Sequence, residues 1–121
     1  MAGIKLVTDM APDRLVQLAW RTAQDLAFKL TPIKDAAFEA TKGHALWSLV
    51  AGAAALRCDF RLSAHQYPDG TTDLMLERNG SWLTGGMVNQ RRARAEADAL
   101  MQKIGEAIAQ AGGNVIERKE I

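Results

Sequence analysis

The sequence predicts an α+β fold in two layers, an antiparallel sheet packed by a long C-terminal helix and an N-terminal helix. Three observations carry this. A hairpin pattern runs from Arg57 to Arg78 around Pro68-Asp69-Gly70, an apolar stripe with three- and four-residue spacing runs from Ala93 to Ala111, and a similar stripe runs from Leu15 to Ala27. A one-sided sheet and a one-sided helix hide their apolar surfaces by stacking. A chain of 121 residues buries about two thirds of the surface it exposes when unfolded, so residues 1–121 are read as one domain.

Ile4 to Val7 is a short β-prone run. Pro12 suits a first helical position, and Asp13 beside it complements the positive end of the helix dipole. Leu15, Val16, Ala19, Ala23, Leu26 and Ala27 then form one face of a helix over 12–27, with Arg14, Gln17, Arg21 and Gln24 opposite. Pro32 lacks an N–H for a sheet ladder, so Phe28 to Asp35 is an edge strand or a strand interrupted near its middle. Ala37 to Lys42 is a further strand, closed by Gly43.

In the hairpin, Pro68-Asp69-Gly70 fits a type I turn followed by a left-handed glycine. That loop sets Tyr67 opposite Thr71, His65 opposite Asp73, Ala64 opposite Leu74, Leu62 opposite Leu76 and Arg61 opposite Glu77. A two-residue loop would set Ala64 against Asp73 and Arg61 against Leu76, a poorer match. The bulged turn therefore gives a core face of Phe60, Leu62, Ala64, Leu74 and Leu76, with Arg61, Ser63, His65, Asp73 and Glu77 toward water or a partner. The last helix begins near Asn89, carries Ala93, Ala97, Leu100, Ile104, Ala107, Ile108 and Ala111, and stops at Gly112-Gly113. Gly105 inside it costs about 1 kcal/mol relative to Ala, which suggests a close packing contact. Asn114 to Ile121 is an edge strand or a frayed tail.

Composition narrows the function classes. Fifteen Lys and Arg against 14 Asp and Glu leave a formal charge of +1, without the global basic field of a nucleic-acid binder. Nucleic acid is therefore not an expected partner. Cys58 is the only cysteine, and with His44 and His65 it makes no zinc-spaced cluster, so no disulfide, metal or cofactor is expected. Met1 to Lys5 lacks a signal-peptide pattern, and the charge-free run Ala45 to Leu56 has 12 residues where a membrane span needs about 20. The expectation is a cytoplasmic chain without a membrane span.

The element order, with Phe28 to Thr41, the 57–78 hairpin and Trp82 to Arg94 in corresponding places, resembles small bacterial domains of unknown function with a β-α-β-β-β-β-α core. It is similar in outline to one repeat of the TATA-box-binding protein fold and to helix-grip domains. The helix-grip resemblance implies an apolar cavity between a curved sheet and the C-terminal helix, and it carries over no catalytic residue.

Three sets of residues invite chemistry. Cys58 and His65 point to opposite strand faces, and Asp59 lies roughly 20 Å from His65 along the strand, so no triad forms there. His65 with Asp73 fits a base and its orienter, and equally a cross-strand ion pair, which is the preferred reading. The apolar segment Leu46 to Leu56 fills the core, forms a subunit contact or covers a cavity, whose candidate ligand-binding walls are Trp47, Phe60, Leu62, Leu76, Met101 and Ile104. Arg91, Arg92 and Arg94, with Asn89 and Gln90, gather at a helix start where free N–H groups favour an anion; the plainer alternative pairs them with Glu96, Asp98 or sheet acids such as Glu77 and leaves them solvated.

The leading expectation is a non-enzymatic domain that binds a small apolar or amphipathic ligand or acts as a homo-oligomeric interaction module. The alternative is an anion or phosphate binder working through the arginine cluster. An acid/base enzyme would need His65 and Asp73 to line a concave pocket. Steep weakening with salt separates anion binding from the other readings.

Overall fold

Ile4, Leu6 and Thr8 alternate with Lys5 and Val7, and this two-residue period gives β1 (Gly3–Thr8) one fully buried side. The computed structural model describes residues 3–34, 36–42, 58–78 and 86–121, with side chains at all of these except 34, 58 and 86–92. After β1 come α1 (Pro12–Asp25), β2 (Lys29–Lys34), β3 (Ala37–Lys42), β4 (Cys58–Gln66), β5 (Thr72–Arg78), α2 (Gly86–Gln110) and β6 (Val115–Glu120). The six strands form one antiparallel sheet in the order β2-β3-β4-β5-β1-β6. Both helices pack on one of its faces.

The hairpin has the expected register, from Arg61 opposite Glu77 to His65 opposite Asp73. Gly70 N–H donates to the Tyr67 carbonyl at 3.0 Å, Tyr67 N–H donates to the Thr71 carbonyl at 2.8 Å, and Gly70 has φ 89°. This is the type I turn with a left-handed glycine. Strand β2 lies at the sheet edge and its register shifts between Pro32 and Lys34, so both readings of that segment hold together. The C-terminal segment is a second edge strand, antiparallel to β1.

Ile4, Leu6, Phe38, Phe60, Leu62, Leu74 and Leu76 line the helix-facing side of the sheet. Leu15, Ala19 and Ala23 from α1 and Ala93, Ala97, Leu100, Met101, Ile104 and Ile108 from α2 close over them in one cluster. Each large apolar side chain removed from water in this way contributes about 1.5–3 kcal/mol. The small residues on α1 bring it near the sheet, where Trp20 meets Phe38 edge-on with ring centres 5.2 Å apart.

The helix ends differ from expectation in three places, the first being that α2 starts at Gly86 rather than near Asn89, which puts Arg94 more than two turns inside it. α1 stops at Asp25, and Ala27 lies outside it with φ 68°, while Ala27 N–H donates to the Gln24 carbonyl and Phe28 N–H to the Ala23 carbonyl. This paired capping turns the chain into β2, and it holds an alanine in the left-handed region that suits glycine. Ala111 is exposed beyond the end of α2, where Gly112, at φ 86°, makes the same kind of cap with its favoured residue. Gly105 is less tightly packed than its sequence position suggests: an added Cβ would stand 3.7 Å from Val115 and 3.9 Å from Leu6, at ordinary van der Waals contact.

Beyond α2, Asn114 ties the chain back to the end of β1. Its backbone N–H and its side-chain amide donate to the two carboxylate oxygens of Asp9, each at 2.9 Å, and its carbonyl accepts from the Thr8 hydroxyl at 2.7 Å. The Asn114 backbone N–H, then its side chain, holds the Asp9 carboxyl below its ordinary range.

Ala27→Gly relieves the left-handed strain and should raise stability by about 0.5–1 kcal/mol in urea unfolding. Gly105→Ala should add a similar gain of about 0.5–1 kcal/mol through helix propensity. Because the folded pKa of Asp9 is lowered, its contribution is present above the unfolded carboxylate range and is lost as pH falls through the folded value. Thermal melts from neutral to acid pH should therefore show a steeper loss for the natural chain than for Asp9→Asn.

Candidate functional site

The sheet face opposite the helices is where the polar residues of each strand collect. Cross-strand rows run Glu39–Arg61–Glu77, then Ala37–Ser63–Met75–Lys5–Lys119, then His65–Asp73–Val7–Glu117. The last two rows meet in a cluster around Asp73. Although it projects from this outer face, where water or a partner was expected to meet it, Asp73 is only 3% exposed within the chain itself.

Its neighbours explain the burial. The Tyr67 hydroxyl donates to Asp73 Oδ2 at 2.5 Å, and Lys5 Nζ lies 3.9 Å from the same oxygen. Lys5 also sits 5.5 Å from the centre of the Tyr67 ring. His65 Nδ1 stands 3.4 Å from Oδ1, an ion-pair distance without hydrogen-bond geometry, so Oδ1 has no hydrogen-bond donor among the described residues. The Tyr67 hydroxyl, with Asp73 and Glu117 nearby, raises the Lys5 ammonium above its ordinary value. Three strands, β4, β5 and β1, are thereby pinned through one carboxylate. The cluster lies on a sheet face with His65 mostly exposed, an arrangement suited to cross-strand pairing.

Sequence reasoning found His65 and Asp73 and missed Tyr67 and Lys5. Tyr67 lies beside the turn without a charge to mark it, and Lys5 reaches the site only through the pairing of β1 with β5.

The apolar candidates lie elsewhere. Phe60, Leu62, Leu76, Met101 and Ile104 are each at most 1% exposed and belong to the common core, while Trp47 and the Leu46–Leu56 segment lie outside the described residues. Two described grooves, of about 290 and 250 Å³, run along the outer junction of α1 and α2, lined in part by Arg14, Arg21, Asp25 and Ala107. None of the five described candidates lines either groove.

Of the arginine set, the side chains of Asn89, Gln90, Arg91 and Arg92 lie outside the described residues. Arg94 reaches across to β6, donating to both carboxylate oxygens of Glu120 at 3.2 and 3.3 Å. One turn further on, Asp98 accepts from Arg118 at 2.9 Å, and Glu96 pairs with Lys42 at 3.0 Å. Arg94 thus takes an acid of the sheet, while Glu96 and Asp98 are engaged by cations from the sheet. Burial pulls the Arg78 guanidinium below its ordinary value, and the charge of Arg94 pulls it further, so these two arginines are near enough to repel.

Among the described residues no group of His, Cys, Asp or Glu is placed to hold a metal ion, and no helix is long and apolar enough to cross a membrane. Comparison with known proteins finds no protein-family model and no curated protein that matches this chain.

Tyr67→Phe removes the one direct side-chain donor to the buried Asp73 carboxylate among the described residues and should cost about 1–3 kcal/mol of unfolding free energy, measured in urea. His65→Gln, which alters an exposed neighbour without hydrogen-bond geometry, should change stability by less than about 0.5 kcal/mol.

Proposed function

We propose that this protein is a non-enzymatic interaction module that self-associates through the exposed part of its sheet. The observation that carries this reading is the state of β6, every residue of which is exposed at the edge of a six-stranded sheet. Val115, Ile116 and the adjoining Ile121 are 40%, 57% and 41% exposed, apolar surface beside strand backbone that has no second strand partner among the described residues. The opposite edge is poorly suited to pairing because Pro32 withholds a donor, while the register shift in β2 has a counterpart in β6 beyond Glu117.

Binding of a small apolar ligand ranks behind self-association, since five of its six candidate residues are core side chains. The anion-binding reading has Arg94 alone among its described side chains, and Arg94 already holds Glu120.

Sedimentation velocity from micromolar to millimolar protein tests the main reading. The sedimentation coefficient should rise with concentration toward a dimer, and a monomer throughout that range would overturn it. For the second reading, inorganic phosphate should raise the melting temperature, with the gain lost at high salt and in Arg94→Gln. An unchanged melting temperature would remove it.

A further inference from the structure

We infer that two copies of this chain join β6 to β6 about a two-fold axis at Arg118, with Glu117 of each copy opposite Lys119 of the other. The inference rests on the self-association reading and names the surface and register.

Backbone polarity comes first. Gly3 and Ile121 exchange both N–H···O bonds, each at 3.0 Å, so Ile121 directs its polar groups toward β1. Antiparallel strands alternate, so Lys119 and Glu117 also direct their polar groups toward β1, while Glu120 and Arg118 direct theirs outward. The free edge therefore offers Arg118 N–H and C=O together. A second β6 related by a two-fold axis through this residue lets each Arg118 N–H donate to the other copy's Arg118 carbonyl.

Charge selects this register. With Arg118 opposite itself, Glu117 falls opposite Lys119 of the second copy, and symmetry repeats the pair. These are the non-hydrogen-bonded positions, where side chains approach most closely. Shifting the axis to Glu117 sets Glu117 against itself, and shifting it to Lys119 sets Lys119 against itself. Each alternative puts like charges face to face on the open side of the sheet. At the chosen axis the two Arg118 side chains do oppose each other, but they project toward the helix side, where Asp98 already pairs with Arg118 at 2.9 Å. Glu117 is additionally near Lys5, and Lys119 stands across β1's Lys5, so Glu117 of the second copy brings negative charge to a locally basic strip.

The test uses charge exchange. Glu117→Lys alone and Lys119→Glu alone should each weaken dimerisation about tenfold, because each places two like-charged pairs across the axis. Mixing the two single variants should restore association, since every pair in the mixed dimer is then opposite in sign. Thermal melts of each variant establish that it is folded. A second measurement reads register directly: in a Cys58→Ser background, Arg118→Cys should cross-link to itself under mild oxidation, and Lys119→Cys should do so far less. A dimer that ignores the charge exchange and cross-links equally at both positions overturns this register while leaving self-association intact. A monomer at millimolar concentration overturns both.

Discussion

The antiparallel ladder between β1 and β5 is the constraint on which the other elements depend. It runs from Gly3 opposite Glu77 to Thr8 opposite Thr72, so it joins parts of the chain more than sixty residues apart. Its register puts Ile4 opposite Leu76 and Leu6 opposite Leu74, on the side where α2 lies. The same placement leaves the other edge of β1 open for β6 and brings Thr8 and Asp9 to Asn114. Loop closure over such separations costs entropy, which the buried apolar rows on the helix side offset.

The two faces of the sheet handle charge in different ways. On the helix side, Arg94 with Glu120 and Asp98 with Arg118 form two rungs that fasten the edge strand to α2. Both pairs are half exposed, so each adds modestly to stability and mainly orients β6. On the open side, Asp73 is withdrawn from water by its neighbours and depends on the Tyr67 hydroxyl and the nearby Lys5 for compensation. A near-neutral composition thus conceals ordered pairs on both faces and one exposed edge, from Glu117 to Lys119, along which the charges alternate.

Much of the architecture was legible because it follows from local rules. The hairpin register follows from turn geometry and a two-residue period, and the edge position of β2 follows from the missing N–H of Pro32. The helix stripes were legible through their spacing, apart from the ends, where Ala27 adopts a backbone conformation that its residue type disfavours. The candidate site was less legible. Phe60, Leu62, Leu76, Met101 and Ile104 are the same apolar types whether they line a cavity or fill a core, and periodicity cannot distinguish the two. Asp73 was expected to face water or a partner because it lies on the polar side of the hairpin, and its covering residues come from the turn and from a distant strand.

By itself the sequence determined the α+β class, the hairpin and its pairing, the two amphipathic helices and the strand-breaking role of Pro32, since each depends on neighbours within a few positions. Tertiary structure alone decided that β1 sits between β5 and β6, that Lys5 and Tyr67 enclose Asp73, and that Glu120 takes Arg94. Strand order and side-chain partners between distant segments arise from burying all the apolar faces at once, a requirement on the whole chain that no local pattern encodes.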